Sequence, residues 1–275
     1  MIAVVTTGVG LFGLAIGSFL NVVAHRVPLG QSVVAPRSAC PACGHEIRAY
    51  DNVPVLSWLI LRGRCRDCAA PISARYPIVE AVTAALFVVV AAAFAPSIAA
   101  ATTAAGAWAA SLVLVAHLAL AGFGVALAAI DLDTQRLPDA LVLPLLGTGV
   151  ALFTAAAALT GAWGDLLRAG IGAASLGLVY FAIFLISPRA MGFGDVKLAL
   201  PLGMFLAWHG WGALVVGAIG AFALGAAVGG ALILARRVDR RGGIPFGPWM
   251  IAGAWLGILA GEVLARAYLQ LFGLA

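Results

Sequence analysis

Two aspartates carry the most suggestive chemistry in this sequence. Asp131 lies in Ile130-Asp-Leu-Asp-Thr-Gln-Arg-Leu-Pro-Asp139 and Asp195 in Gly192-Phe-Gly-Asp-Val-Lys197, each beside a long apolar run. A carboxylate close to an apolar span is expensive and, where it occurs, points to function. Two that meet at one mouth of a helical bundle would share a proton, because like charges a few ångströms apart do not both ionise easily. One would then act as general base on water while the other protonates a carbonyl oxygen or a leaving amine. Gly192 and Gly194 lack Cβ atoms and so permit close backbone approach beside the second carboxylate. Residue type leaves alternatives open. An aspartate at a helix end is often a cap or a solvated charge, and Asp133 and Asp139 compete for the same role. Asp133 reads as solvated, and Asp139, directly after Pro138, as the N-terminal residue of a following helix. Glu80 is either functional or a buried hydrogen-bonding partner between helices.

The second constellation is Cys40-Pro-Ala-Cys43 and Cys65-Arg-Asp-Cys68, two CxxC knuckles separated by 21 residues. Two knuckles of this kind supply four thiolates for tetrahedral zinc, with Gly44 helping the first to turn. Redox cysteines and free thiols are the alternatives. His45 could replace one ligand, but four cysteines already complete the shell, and a solvated loop histidine is the simpler reading. The stretch around the knuckles, residues 25–76, is polar, rich in Arg and Pro, and has few large apolar side chains. A metal would give it the stability that core burial cannot. Zinc with four thiolates has no open position, so the expected role is structural.

These groups must be positioned by membrane helices. Of the 275 residues 63% are hydrophobic and only 10% charged, whereas a soluble domain carries about 25% charge. Abundant Ala and Gly suit close helix–helix approach in a bilayer. Segments of about 20 apolar residues span the hydrocarbon core. Eight are expected, roughly at 2–24, 77–97, 106–130, 140–161, 169–187, 196–209, 212–235 and 248–271. The sixth is short and begins beside the Asp195 motif. The fold class is therefore an all-α membrane protein of about eight transmembrane helices with a small cytoplasmic zinc-ribbon-like loop. The expected organisation is 1–24 as first span, 25–76 as cysteine loop and 77–275 as a seven-helix bundle. Met1 to Val23 opens without a charged segment, which favours a retained span over a cleaved signal.

Basic residues set the orientation. With the N-terminus outside, Arg26, Arg37, Arg48, Arg62, Arg64, Arg66, Arg75, Arg136, Arg189, Lys197, Arg236, Arg237, Arg240 and Arg241 all fall on the cytoplasmic side, leaving Arg168 and Arg266 outside. Both aspartates then lie at the cytoplasmic mouth. The net charge of +5 reports this topology rather than nucleic-acid binding, since there is no basic face on a soluble fold.

Taken in order, several motifs resemble the type IV prepilin peptidase family: Gly17-Ser-Phe-Leu-Asn-Val-Val23, the paired knuckles, Ile72-Ser-Ala-Arg-Tyr-Pro-Ile-Val-Glu80, the Asp131 segment with its Leu-Pro-Asp ending, Gly-Phe-Gly-Asp195, and Ile244-Pro-Phe-Gly-Pro248. The resemblance runs along nearly the whole chain. It implies an eight-span enzyme of the bacterial cytoplasmic (inner) membrane that removes the basic leader of prepilins and of type II secretion pseudopilins. It places the catalytic pair on Asp131 and Asp195, and it implies supporting positions at Gly192, Gly194, Lys197 and Glu80. Bifunctional members also methylate the new N-terminal amine with S-adenosylmethionine. That activity is associated with the cysteine-bearing loop, and Gly63 and Arg64 resemble a stretch linked to it. No nucleotide-binding fingerprint establishes methyl transfer independently.

Two other classes compete. A transporter would use Glu80, Asp131 and Asp195 as an ion path, but both aspartates sit at one face and no clear inverted repeat is visible. A zinc-ribbon scaffold without catalysis would tolerate aspartate substitution and fail on cysteine substitution. Membrane lipid is an expected partner in every case, and nucleic acid in none.

Overall fold

The computed structural model describes residues 2–188, 191–235 and 245–273. Arg189, Arg236, Arg237, Arg240, Arg241 and Ile244 lie outside them. The apolar runs form long helices because a bilayer leaves no water to satisfy exposed backbone groups. These helices are α1 (Ile2–Arg26), α3 (Arg75–Ala99), α4 (Ala104–Thr134), α5 (Asp139–Thr160), α6 (Trp163–Ile186), α7 (Phe193–His209), α8 (Trp211–Leu234) and α9 (Gly247–Leu271), with a short α2 (Leu56–Ile60) in the cysteine loop. No strand occurs among the described residues.

Ends are specified locally. Thr103 caps α4 by accepting the Gly106 N–H at 3.1 Å. Gly161, at φ 77°, closes α5 in the left-handed conformation that glycine takes without steric cost. Pro138 precedes α5 and Asp139 is its first residue, as expected.

Consecutive helices pair as antiparallel hairpins: α1 with α3, α4 with α5, α6 with α7, and α8 with α9. Glycines make the seams. A Cβ on Gly13 would stand 2.9 Å from the Ala84 Cα, and one on Gly253 would stand 2.5 Å from the Ala221 amide. Gly172 of α6 and Gly203 of α7 are seated so closely that a Cβ on either would strike the other's carbonyl. Small residues are what let membrane helices approach this far.

Seven of the helices are long and apolar enough to cross a membrane. The expected sixth span differs. Its helix, α7, has 17 residues, about 26 Å against a hydrocarbon core of about 30 Å. Most of α7 is buried against α6, α8, α9 and α5, so protein rather than lipid surrounds it and the length rule for a lipid-facing span does not bind it. Its C-terminal carbonyls are also protected. Arg168 of α6 donates to Ala207 O and Trp208 O, each at 2.6 Å, so an arginine expected in an outer loop serves as a helix-end partner.

Candidate functional site

The last turn of α4 delivers Asp131 and the first turn of α7 delivers Asp195. Both line one cavity of about 640 Å³ at one end of the bundle, together with Val27, Gln135, Lys197 and Phe246. Asp131 is 4% exposed and Asp195 9%. Each carboxyl is held by one backbone amide. Asp131 Oδ2 accepts the Gly247 N–H at 2.9 Å, and Asp195 Oδ2 accepts the Gly192 N–H at 3.0 Å. Such bonds fix a carboxylate without adding a side-chain charge beside it.

The glycines have separate reasons. Gly192 precedes α7, and Asp195 reaches back from the third helical position to its amide. A Cβ on Gly194 would meet the Leu137 Cβ at 3.1 Å, so Gly194 lets the start of α7 close on the segment after Asp131. Gly247 was not singled out from the sequence. A Cβ there would come within 2.8 Å of Asp131 Oδ2. Its position inside Pro-Phe-Gly-Pro was the available signal, but nothing local to that motif reveals a partner 116 residues away. Gly247→Ala should displace the Asp131 carboxyl and lower any Asp131-dependent activity by at least ten-fold, with little change in membrane abundance. Equal activity of wild type and variant in purified form would overturn this.

The competing aspartates are occupied by cations. Asp133 forms an ion pair with Arg75, which also donates to Ala129 O at 3.2 Å. It is thus paired across α3 and α4 rather than merely solvated. Lys197 lines the cavity, but its ammonium pairs with Asp139.

Glu80 does not reach this cavity. It is buried in α3, and its Oε2 accepts the Val55 N–H at 2.7 Å. Val55 is held at φ 62°, a conformation costly for a β-branched residue. The carboxylate thus pins a strained turn of the cysteine loop to the α1–α3 hairpin. Gly17 admits the contact, since a Cβ there would lie 2.6 Å from the Glu80 Cα. Asn21 Nδ2 donates to Tyr76 O at 3.2 Å, so the Gly17–Val23 and Ile72–Glu80 motifs build one joint.

The loop folds as two matching knuckles. In the first, Cys40 N–H bonds His45 O and Gly44 N–H bonds Cys40 O. In the second, Cys65 N–H bonds Ala70 O and Ala69 N–H bonds Cys65 O, all at 2.8–2.9 Å. Gly44 and Ala69 occupy the same left-handed position, at φ 73° and 58°. Reciprocal pairs sew the knuckles together, Arg48 to Asp67 and Arg66 to Asp51. The bond from Arg66 holds Asp51 below its ordinary carboxylate range. Amides of Cys43 and Ala42 hold the Cys40 thiol down to about 6. The four Sγ atoms lie within 4.8 Å of one another, and Cys40 and Cys68 are 3.8 Å apart. Tetrahedral zinc with bonds of about 2.3 Å places its sulfurs about 3.8 Å apart, so these residues fit that metal. His45 contributes its backbone to the knuckle, its carbonyl accepting the Cys40 N–H and its amide bonding the Cys43 sulfur.

Gly63 is buried at φ 66°. It donates to Trp58 O at 2.8 Å, and a Cβ would sit 2.9 Å from the Trp58 ring. Its type is thus required by the turn itself. Arg64 follows it, exposed.

Three further polar features at the opposite end were not anticipated. His117 of α4 is wholly buried, and its Nε2 lies 2.9 Å from His209 Nε2 of α7. Its Nδ1 lies 2.7 Å from Val113 O. That carbonyl can only accept, so His117 donates from Nδ1 and accepts at Nε2 from His209. Glu262 of α9 accepts the Ala213 N–H at 3.1 Å, satisfying an amide in the first turn of α8.

The fold and the site together define a polytopic helical membrane protein with two buried carboxyls on one cavity at one end of its bundle. The chain belongs to the type IV leader peptidase family. Residues 118–234 match the model of that name, and residues 11–94 match the Bacterial Peptidase A24 N-terminal domain. It is 41% identical to the prepilin leader peptidase/N-methyltransferase of Aeromonas hydrophila, over 95% of this chain and 93% of that one. It is 37% identical to the protein of the same name from Pseudomonas aeruginosa, over 96% and 93%, and 38% identical to that of Burkholderia pseudomallei, over 88% and 81%. No solved structure matches it.

Proposed function

We propose that this chain is an aspartic endopeptidase that removes the leader of type IV prepilins and type II secretion pseudopilins, and then methylates the exposed amine with S-adenosylmethionine. The observation that carries the first activity is the placing of Asp131 and Asp195 on one cavity. Each carboxyl spends one oxygen on an amide, which leaves its second oxygen for water or substrate. One carboxylate takes a proton from water as the oxygen attacks the scissile carbonyl. The other, protonated, donates its proton to the carbonyl oxygen. As the tetrahedral intermediate collapses, the first carboxyl passes the proton it took from water to the leaving amine and the second recovers its own from the hydroxyl. A substrate that is itself one apolar helix with a basic leader can enter sideways from lipid, which sets the bond to be cut at the level of the aspartates. Gly192, Gly194 and Gly247 position the two carboxyls, Lys197 secures Asp139 at the rim, and Glu80 supports the loop.

The second activity rests on the relatives' name and on the family resemblance of Gly63 and Arg64. S-adenosylmethionine is consumed there as a substrate. Cys40, Cys43, Cys65 and Cys68 hold a structural Zn²⁺ that shapes residues 25–76 and takes no part in either reaction. The organisation is a first helix, this loop, and a bundle from 77 onward. The protein lies in the inner membrane with its N-terminus outside and the aspartate cavity at the cytoplasmic face, where the loop arginines collect.

Incubating purified protein with a prepilin and S-adenosylmethionine in detergent tests both steps in one mass spectrum. The expected product has lost its leader and gained one methyl group at the new N-terminus. Uncut substrate would sink the peptidase reading, and an unmethylated product would leave a peptidase alone. Asp195→Asn should still methylate a pilin supplied already cut. Gly63 is a poor probe of methyl transfer, because any side chain there strains the turn. Arg64→Gln is the cleaner variant and should cleave without methylating.

A further inference from the structure

We propose that α2 is an interfacial anchor: Leu56, Leu59 and Ile60 sit in the headgroup–acyl boundary of the leaflet at the aspartate end, and Arg62 meets anionic phospholipid headgroups. The cysteine loop would then rest on the bilayer as a fixed platform beside the cavity.

The first observation is a face. Leu56, Leu59 and Ile60 stand at i, i+3 and i+4, so they project together, and they are 57%, 58% and 75% exposed. The other side of α2 is committed to the loop, where Ser57 Oγ donates to Tyr50 O at 2.9 Å and Trp58 Nε1 donates to Ile72 O at 3.1 Å. An apolar triplet turned outward from an arginine-rich polar segment is the pattern of a helix lying in a membrane surface.

The second observation is depth. The Val55 N–H, at the entry to α2, is bonded to the Glu80 carboxylate. Glu80 is five residues inside α3, about 7.5 Å along its axis. On that same stretch of a membrane-crossing helix Ile78 and Val82 are exposed at 58% and 45%. α2 therefore begins level with exposed apolar side chains of a membrane-crossing helix.

The third is charge. Arg37, Arg48, Arg66 and Arg75 have carboxylate partners, and Arg26 donates to Ser32 O and Pro36 O. Arg62, exposed two residues after Ile60 and held at φ 53°, has no ion-pair partner among the described residues. A cation at the edge of such a face complements the anionic leaflet.

The inference needs only that the bundle spans a membrane, so it stands apart from the catalytic assignment. Its test uses the full chain in nanodiscs of phosphatidylcholine with or without phosphatidylglycerol. A benzophenone amino acid replaces Ile60, or Leu59 in a second variant. Ile78 serves as the lipid-facing control and Val34, an exposed residue of the same loop, as the comparison. Irradiation should join Ile60 and Leu59 to one phospholipid, as at Ile78, while Val34 yields several-fold less. Adding Arg62→Gln should lower capture at Ile60 in phosphatidylglycerol discs by roughly fivefold and leave it unchanged in phosphatidylcholine alone. Capture of a second copy of the chain would overturn the proposal. So would lipid capture at Ile60 no higher than at Val34, or capture only of added prepilin helix. A far-ultraviolet helical signal and membrane yield equal to wild type for each variant confirm that the bundle is intact.

Discussion

Asp131→Asn and Asp195→Asn will each reduce leader cleavage by roughly 10²–10⁴-fold, while the protein accumulates in the membrane at wild-type level. The effect is large because the pair acts as one unit. Asparagine keeps an oxygen that can accept the Gly247 or Gly192 N–H but has no proton to exchange at working pH, so geometry survives and proton transfer does not. The double variant should be little worse than either single one, since removing half of a shared-proton pair already removes its function. Asp133→Asn is the informative contrast. Asp133 is tied to Arg75 away from the cavity, and its loss costs one half-exposed ion pair, about 0–1 kcal/mol, with most of the activity kept. A time course of prepilin processing separates these outcomes, and near-normal cleavage by either Asp131→Asn or Asp195→Asn would remove the catalytic assignment.

Stripping zinc, or substituting Cys40 or Cys68, is expected to unfold residues 25–76 and spare the helical bundle. Between Val27 and Ala74 only Ser57 and Gly63 are buried, so the loop has no apolar core to fall back on. Its ion pairs, Arg48 with Asp67 and Asp51, Arg66 with Asp51, and Arg37 with Glu46, all have an exposed arginine and contribute about 1 kcal/mol each. A structural Zn²⁺ contributes about 10–16 kcal/mol at neutral pH, which outweighs everything else in the segment. Purified protein should carry about one zinc per chain, as four cysteine ligands imply. The Cys40→Ser protein should carry far less and be cut by protease within the loop while its far-ultraviolet helical signal stays near wild type. A loop that resists protease equally well without metal would sink the zinc reading.

What could be read from the sequence is what leaves a local trace. The apolar runs announced their helices to within a few residues, because crossing lipid demands an uninterrupted stretch, except that α6 begins at Trp163, six residues before the expected 169. The knuckles announced a cysteine cluster because their residues come in pairs three residues apart, and the four sulfurs do lie together. Asp131 and Asp195 were legible as charges at the ends of apolar segments. Their amide partners were not. A backbone N–H looks the same at every position, so nothing marked Gly247 as the group that holds Asp131. The Glu80 carboxylate, read as a possible partner between helices, does meet Ser18 of α1, but for the same reason its bond to the amide of Val55 left no trace. Arg75 and Asp133 sit 58 residues apart, and only the packing of α3 on α4 makes them neighbours. The shortness of α7 was visible. That protein rather than lipid would surround it was not, since burial belongs to the arrangement of other helices.

The histidine pair has a bearing on how the carboxyls keep their spacing. Asp131 lies fourteen residues after His117 on α4, and His209 fourteen residues after Asp195 on α7. Two helices running in opposite directions thus carry the same interval, about 21 Å, with a carboxyl at one end and an imidazole at the other. The imidazoles touch through a single 2.9 Å bond, which tolerates far less than the 1.5 Å by which one residue of sliding would move α7 along α4. α4 and α7 are thus tied at two levels about 21 Å apart, by one imidazole–imidazole bond at one end and by the cavity that both carboxyls line at the other.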